Sequence, residues 1–189
     1  EQQSNIEVDL VLRDEDVDMI GLGIDLAIRA GRLPDSSFVG RRIGVARRVT
    51  VAAPSYLERR GIPNTPEDLT AHDCVLYTRL RRGPIWRYES LDGYIDVKVS
   101  GRFRTDSSET TRDAVLAGVG IGYLPIWLIS EALHEGRLRR LLPAYRAESV
   151  IVQTLLPQRD FVARRTRLLI AHLEHVFRND PDFRDAEDG

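Results

Sequence analysis

Four consecutive residues, Thr105, Asp106, Ser107 and Ser108, stand where a strand-like run gives way to a helix start. Hydroxyls and the unpaired backbone N–H groups of a first helical turn make a place where a carboxylate or another hydrogen-bond acceptor can settle. The same residues can do no more than cap the helix, with Asp106 or Ser107 as the capping side chain. A second candidate place is Arg13-Asp14-Glu15, where another strand-like run ends in acids. A carboxylate at Asp14 would repel an anion, so Asp14 suits a neutral or cationic ligand or simply a helix start. Arg29 closes an apolar run, where a cation needs a partner or an opening to water. It can read a carboxylate with both arms of its guanidinium, or hold a loop through Asp35; the loop role is favoured. Tyr77, Tyr123 and Trp127 are aromatic candidates for the same site, and Trp86 reads as core.

Other chemistry is poorly served. Cys74 is the single cysteine, so no internal disulfide forms. It opens a buried strand and lacks the surroundings of a nucleophile. His172 and His175 have a spacing a metal can use, but no third ligand is near in sequence, and a surface pair is the better reading. Arg164, Arg165 and Arg167 beside them read as a solvated face. There is no glycine-rich phosphate loop, nucleophile elbow or paired-carboxylate motif. Catalytic residues, metal and cofactor are therefore all expected to be none.

The elements that must position these groups follow from the hydropathy pattern. Val8 to Leu12 alternates as a strand, Asp14 to Asp16 opens a short helix that Gly21 and Gly23 end, and Ile24 to Ile28 reads as a strand covered on both faces. Ile43 to Ala53, carrying Arg47 and Arg48, runs as a strand into a helix from Pro54 to Gly61. Thr65-Pro-Glu-Asp starts another helix. Cys74 to Thr78 is a strand, Arg79 to Pro84 a basic loop, and Ile85 to Ser90 with Tyr94 to Ser100 a hairpin turned at Leu91-Asp-Gly93. Phe103 to Thr105 is a strand. A helix capped by Asp106 with Glu109 three residues on is ended by Gly118. Strand Gly120 to Pro125, helix Ile126 to His134, strands Leu138 to Leu142 and Val150 to Leu156, and a long helix Phe161 to Phe177 complete the chain. The long helix has an apolar stripe of Val162, Leu168, Leu169, Leu173, Val176 and Phe177. Alternation of this kind is α/β with at least one partly parallel sheet.

The totals agree with a globular protein: 189 residues, 42% hydrophobic, 30% charged, net charge −2. That charge leaves no electrostatic footprint for nucleic acid. No apolar run reaches the ~20 residues a membrane span needs. The single cysteine suits a reducing cytoplasm, and the first residues do not read as a signal peptide.

Several runs, in this order, resemble the effector-binding domain of LysR-type transcriptional regulators. They are Asp25-Leu-Ala-Ile-Arg-Ala-Gly31, Leu33-Pro-Asp-Ser-Ser37, Ala53-Pro-Ser-Tyr-Leu57, Gly61-Ile-Pro-Asn-Thr-Pro-Glu-Asp-Leu69 and His72-Asp-Cys74. Trp86, Gly118-Val-Gly-Ile-Gly-Tyr-Leu-Pro125 and Gly136-Arg-Leu138 follow. No one run is diagnostic; their ordered combination, from about Val8 to about Phe177, is specific.

The resemblance implies an α/β, two-lobed fold like that of type 2 periplasmic binding proteins. Its sheets would be mixed and mostly parallel, with two crossover strands near Arg47–Val51 and Val150–Thr154. Lobe I would be residues 1–48 and 153–189, and lobe II residues 49–152. The family's first strand and helix of lobe I, and its DNA-binding winged helix-turn-helix, would precede this sequence. A small-molecule effector would sit between the lobes, on Arg13, Asp14, Arg29, Thr105, Asp106, Ser107, Ser108 and Tyr123. The protein would be a cytoplasmic bacterial homodimer or homotetramer that meets DNA only through that absent domain and meets no membrane. It would not be an enzyme. A solute-binding protein of transport, or a dehydratase-like enzyme using Asp14 or Asp106, would share the fold.

Overall fold

The protein is described by a computed structural model, which covers residues 6–14, 18–31, 38–90, 93–157 and 162–183. The chain order is β1 (Ala27–Ala30), β2 (Phe38–Ala52), α1 (Pro54–Arg60), β3 (Leu76–Tyr77), β4 (Ile85–Ser90), β5 (Gly93–Lys98), β6 (Arg104–Thr105), α2 (Ser108–Leu116), β7 (Gly122–Pro125), α3 (Ser130–His134), β8 (Arg139–Leu141), β9 (Arg146–Ala147), β10 (Ser149–Pro157) and α4 (Arg164–Asn179). Short 3-10 turns occupy Pro66–Ala71, Ile126–Leu128 and Pro181–Phe183. The chain divides into two compact units, Glu1–Val45 with Ile151–Gly189, and Ala46–Val150. Strands β2 and β10 run across the division.

In the first unit β10 lies between β1 and β2. β1 is antiparallel to β10, with Ala27 opposite Leu155 and Ala30 opposite Val152. Helix α4 buries Thr166 and Ile170, and Leu173 and Phe177 continue that face at helical spacing. Leu168 and Val176, expected in the apolar stripe, are instead exposed. The face is set by Thr166 and Ile170, four apart, and Leu168 and Val176 fall outside it. The Phe177 and Phe183 rings meet at 4.4 Å. Gly44 lets them approach β2, since a Cβ there would lie 3.1 Å from the Cβ of Phe183.

The N-terminal segment corrects the sequence reading. Residues 8 to 12 form no strand, and Val8, Leu10 and Leu12 are exposed by 58%, 72% and 76%. Alternation makes a strand only where a neighbouring backbone is available to pair with it, and none of the described residues supplies one. Asp14 to Asp16 falls largely outside the described residues. The helical turn that follows is capped instead by Asp18, whose carboxylate accepts from the N–H groups of Ile20 and Gly21. Gly23, at φ +67°, closes it in a Schellman arrangement, with Gly23 N–H donating to Ile20 and Ile24 N–H to Met19. β1 is not covered on both faces either, since Ile28 is 45% exposed. The Leu33–Ser37 loop, Asp35 and the turn residues Leu91 and Asp92 lie outside the described residues.

The second unit is built on β2, β7, β8, β3 and β6. β7 and β8 are antiparallel to β2, and β3 is parallel to β6. Parallel bridges Asp73–Ser100 and Cys74–Ile121 tie the start of β3 to both neighbours. The sheets are thus mixed, with a smaller parallel share among the described strands than the resemblance implied. Alternation along β2 and β7 sorts the core. Ala52 and Tyr123 join Tyr56, Cys74, Leu76, Trp86 and Tyr88. Val49, Val51 and Leu124 join Ala114 and Val115 of α2. Full burial of side chains as large as Trp86 and Ile121 contributes roughly 1.5–3 kcal/mol each. The antiparallel hairpin β4–β5 covers the first cluster, with Trp86 opposite Val97.

The helices of this unit follow their punctuation closely. α1 has Pro54 in its first turn and Gly61 at φ +81° after its last. The turn after Thr65 is a 3-10 helix rather than an α-helix, held by Asp68 accepting from the N–H groups of Asn64 and Thr65. The stretch from Ile126 to His134 breaks at Ile129 into a 3-10 turn and α3. No helix among the described residues is long and apolar enough to cross a membrane.

Candidate functional site

Because β3 and β6 are parallel, both end at the same edge of the sheet, the usual place for ligands in α/β folds. Tyr77 lies beside Thr105 there. The Thr78 N–H donates to the Thr105 carbonyl at 2.8 Å, and the Thr78 hydroxyl donates to the same oxygen at 3.3 Å. β7 runs with β3 through the Cys74–Ile121 bridge, so its last residue, Pro125, reaches the same edge. Arg48 of β2 is the register partner of Pro125 and joins that edge from the opposite direction.

The chain turns from β6 into α2 through Thr105, Asp106 and Ser107. The Ser107 N–H donates to the Thr105 hydroxyl oxygen at 3.1 Å. The Ser107 hydroxyl oxygen accepts from Thr110 N–H at 3.2 Å, so Ser107 is the N-cap. This corrects the assignment of the cap to Asp106. Asp106 lies one residue too early to reach the helix, and its exposed carboxylate pairs with Arg79 at 3.3 Å. Glu109 then falls one place short of the capping-box position. Thr105 and Ser107 each accept through oxygen and each retain a hydroxyl hydrogen to donate. Ser108, half-buried, is the first residue of the helix. A small cavity of about 40 Å³ opens next to them, lined by Leu76, Tyr77, Thr78, Gly83, Pro84, Trp86 and Arg104.

Tyr123 sits deeper. It is 5% exposed, stacks on Trp86 at 5.1 Å and meets Tyr88 edge-on at 5.8 Å. Its hydroxyl donates to the Arg87 carbonyl at 2.7 Å and accepts from Glu148 N–H at 2.9 Å. Burial pushes its pKa up to about 12. The polar end of Tyr123 is thus already occupied by backbone groups, and its free surface is the ring face under Arg48, whose guanidinium carbon lies 5.7 Å from the centroid. Arg48 is held below the usual arginine range by desolvation, opposed by the fields of Tyr123, Glu148 and Tyr77.

The structure therefore gathers Thr105, Asp106, Ser107 and Ser108 at one edge of the second unit, with Tyr123 in the core behind it. Arg13, Asp14 and Arg29 belong to the first unit. Arg13 and Asp14 are exposed, and Arg29 is half-buried opposite Gln153. His172 and His175 are exposed, and no cluster of metal-binding side chains exists among the described residues. Burial pushes the Cys74 thiol up to about 12, which removes it as a nucleophile. Sequence reasoning passed over Arg48. Its signal was the Arg47–Arg48 pair inside the largely apolar run Val45 to Ala53.

The family model of the LysR substrate binding domain matches residues 1–178. The chain is 38% identical over 175 residues to the HTH-type transcriptional regulator YhjC of Escherichia coli K12, covering 92% of this chain and 58% of that protein. It is 34% identical over 174 residues to the HTH-type transcriptional activator AaeR of the same organism, covering 91% of this chain and 56% of AaeR. It thus spans little more than half the length of these relatives. Among solved structures, the regulatory domain of CrgA, a LysR-type regulator of Neisseria meningitidis, superposes with a TM-score of 0.74 at 28% identity, covering 83% of this chain and 77% of that one. Full-length AphB of Vibrio cholerae shares the fold at a TM-score of 0.78 and 24% identity, over 93% of this chain and 59% of AphB. The chain belongs to the LysR substrate-binding domain family. Its fold is the two-lobed α/β architecture of type 2 periplasmic binding proteins. The named relatives are transcriptional regulators rather than enzymes.

Proposed function

We propose that this chain is the effector-sensing part of a cytoplasmic LysR-type transcriptional regulator. In this reading it binds a small molecule, assembles as a homo-oligomer, and meets DNA only through a helix-turn-helix domain outside this sequence. The observation that carries it, beside the family membership, is the strand-end edge of the second unit. There Thr105 and Ser107 are held at the start of α2 with hydroxyl hydrogens still to give, and Ser108 follows as the first residue of the helix. Such an edge binds and orients a ligand but, among the described residues, offers no activated nucleophile and no general acid or base. Asp106, the carboxylate beside these hydroxyls, is exposed and paired with Arg79. Arg13, Asp14 and Arg29 are proposed as further contacts from the first unit. In this reading the ligand shifts the domain between states. It can do so only by its difference in affinity for those states.

The test is a thermal-shift screen of small metabolites on this chain, followed by the hit in a reporter assay with the full-length regulator. The expected result is a ligand that raises the melting temperature, whose shift is lost in Thr105→Val with Ser107→Gly, and which changes reporter output. A ligand that is consumed on incubation, with product released, would overturn the reading in favour of an enzyme.

A further inference from the structure

We propose that Arg48 is an anion-reading residue of this domain and that the ligand it takes is a small, singly charged organic carboxylate. This rests on the effector-sensing reading and adds the chemical class of the effector to it.

Two successive guanidinium groups enter the second unit through β2. The Nε of Arg47 is fully buried and has no hydrogen-bond partner among the described residues. Arg48, on the opposite face of the strand, sits against the ring of Tyr123. Among the described residues it has no ion pair and no hydrogen bond, although other arginines of the unit do. Arg87 grips Asp96 with two bonds of 2.6 Å, Arg79 meets Asp106, and Arg59 caps the Gly118 carbonyl. A cation withdrawn from water is ordinarily matched by a carboxylate or by several acceptors. At Arg48 the acidic group in range is Glu148, which acts through space and not in a salt bridge. The tyrosine hydroxyls nearest to it do not take the guanidinium hydrogens, since that of Tyr123 is saturated by Arg87 and Glu148.

Position makes this more than an unpaired charge. Arg48 pairs with Pro125 and so lies at the edge where the parallel strands end. The Thr105–Ser107 hydroxyls stand at the same edge, about 14 Å away, counted as three strand spacings. A guanidinium fork fits a planar carboxylate with two parallel hydrogen bonds. A dianion such as a phosphate monoester would ask for more positive charge than one half-exposed arginine with Glu148 beside it supplies. The competing role is packing alone, with Arg48 resting on the Tyr123 ring as a cation–π contact.

The two roles separate by experiment on the full 189-residue chain. The Nε–H signal of Arg48 is followed by NMR during titration with sodium acetate to about 100 mM, a range that reaches millimolar affinities, against equal sodium chloride and against acetamide. A saturable shift with acetate alone supports the proposal. No saturable shift, or the same shift with chloride or acetamide, overturns it. Arg48→Met removes the charge and keeps the bulk. A melting temperature equal to or above that of the parent, with the acetate-dependent rise in melting temperature lost, supports an anion reader. An acetate response that persists in Arg48→Met overturns it. Should Arg48→Met not fold, Arg48→Lys keeps the charge and loses the fork. Its acetate affinity then falls about tenfold if the fork reads the carboxylate, and unchanged affinity overturns the proposal. A screen that found a neutral or cationic effector for the full-length regulator would discard this proposal and leave the regulator reading standing.

Discussion

The Tyr123 hydroxyl joins a backbone pair outside its own strand, donating to the Arg87 carbonyl of β4 at 2.7 Å and accepting at 2.9 Å from the Glu148 N–H between β9 and β10, which also donates to Arg87 at 3.1 Å. One side chain thereby stitches the hairpin sheet to the central sheet at the level of the candidate site. Tyr123→Phe takes this hydroxyl from the Arg87 carbonyl and the Glu148 N–H, which keep their mutual bond of 3.1 Å in a part-buried place. It should lower stability by about 0.5–1.5 kcal/mol. Urea denaturation checks this, and an unchanged midpoint with unchanged slope would mean that water replaces the hydroxyl without loss.

Gly118 ends α2 at φ +73°, and a Cβ there would stand 2.7 Å from the Ser55 hydroxyl oxygen at the start of α1. Gly118→Ala therefore meets both backbone strain and a collision and should cost about 1–2 kcal/mol. Adding Ser55→Ala removes only the collision. The double variant should recover part of the loss, and full recovery would show that the positive φ imposes no strain here.

How much of this was legible in the sequence depended on whether the deciding contact was local. α1 could be placed from Pro54 and Gly61, and the β4–β5 hairpin from alternation around Gly93, since each rests on the conformational limits of a few adjacent residues. The start of α2 was placed one residue early because Asp106 and Ser107 are both good caps. The choice went to Ser107 through the position of β6 and the pull of Arg79 on Asp106. The strand expected at residues 8 to 12 had the right pattern and no partner, a fact held by other parts of a sheet and not by the segment itself. The hydroxyl cluster of the site was legible because it is contiguous. Arg48 was not, because its meaning comes from a missing counter-charge among residues as distant in sequence as Tyr77 and Glu148.

Cys74 offers a direct readout of folding. It is 2% exposed, and burial holds the thiol protonated well above neutral pH. At about pH 8 the native chain should resist a thiol reagent that labels the unfolded chain quickly, the free thiol having an ordinary pKa near 8.5. The labelling rate then reports opening of the second unit's core. Labelling as fast in buffer as in denaturant would contradict the burial of this residue.

His72 stacks obliquely on Tyr56 at 6.0 Å, and its Nδ1 lies 3.2 Å from the Tyr56 hydroxyl. Desolvation first, and the Arg60 charge second, hold its pKa below the ordinary histidine value. The native state then binds fewer protons than the unfolded chain as pH falls through the ordinary value of 6.5. Its contribution to stability is complete above that pH and is lost as pH drops through the lower, folded-state pKa. Melting temperature should thus fall more between about pH 7.5 and 5.5 in the parent than in His72→Gln, whose side chain does not titrate. Parallel curves for the two proteins would remove His72 as the cause.

Glu148 is the natural counterweight to the role assigned to Arg48. Its carboxylate favours the charged guanidinium from a distance, and the same field repels a carboxylate ligand arriving at that guanidinium. Its backbone N–H is committed to Tyr123, so Glu148→Gln can change the charge and leave that hydrogen bond in place. The variant should bind acetate roughly two- to fivefold more tightly than the parent at low salt, with the gap closing as ionic strength rises, because part of the interaction passes through solvent. Titration of the Arg48 signal at two salt concentrations checks both halves. Weaker acetate binding in Glu148→Gln would mean that the acid orients Arg48 for its ligand instead of competing with it.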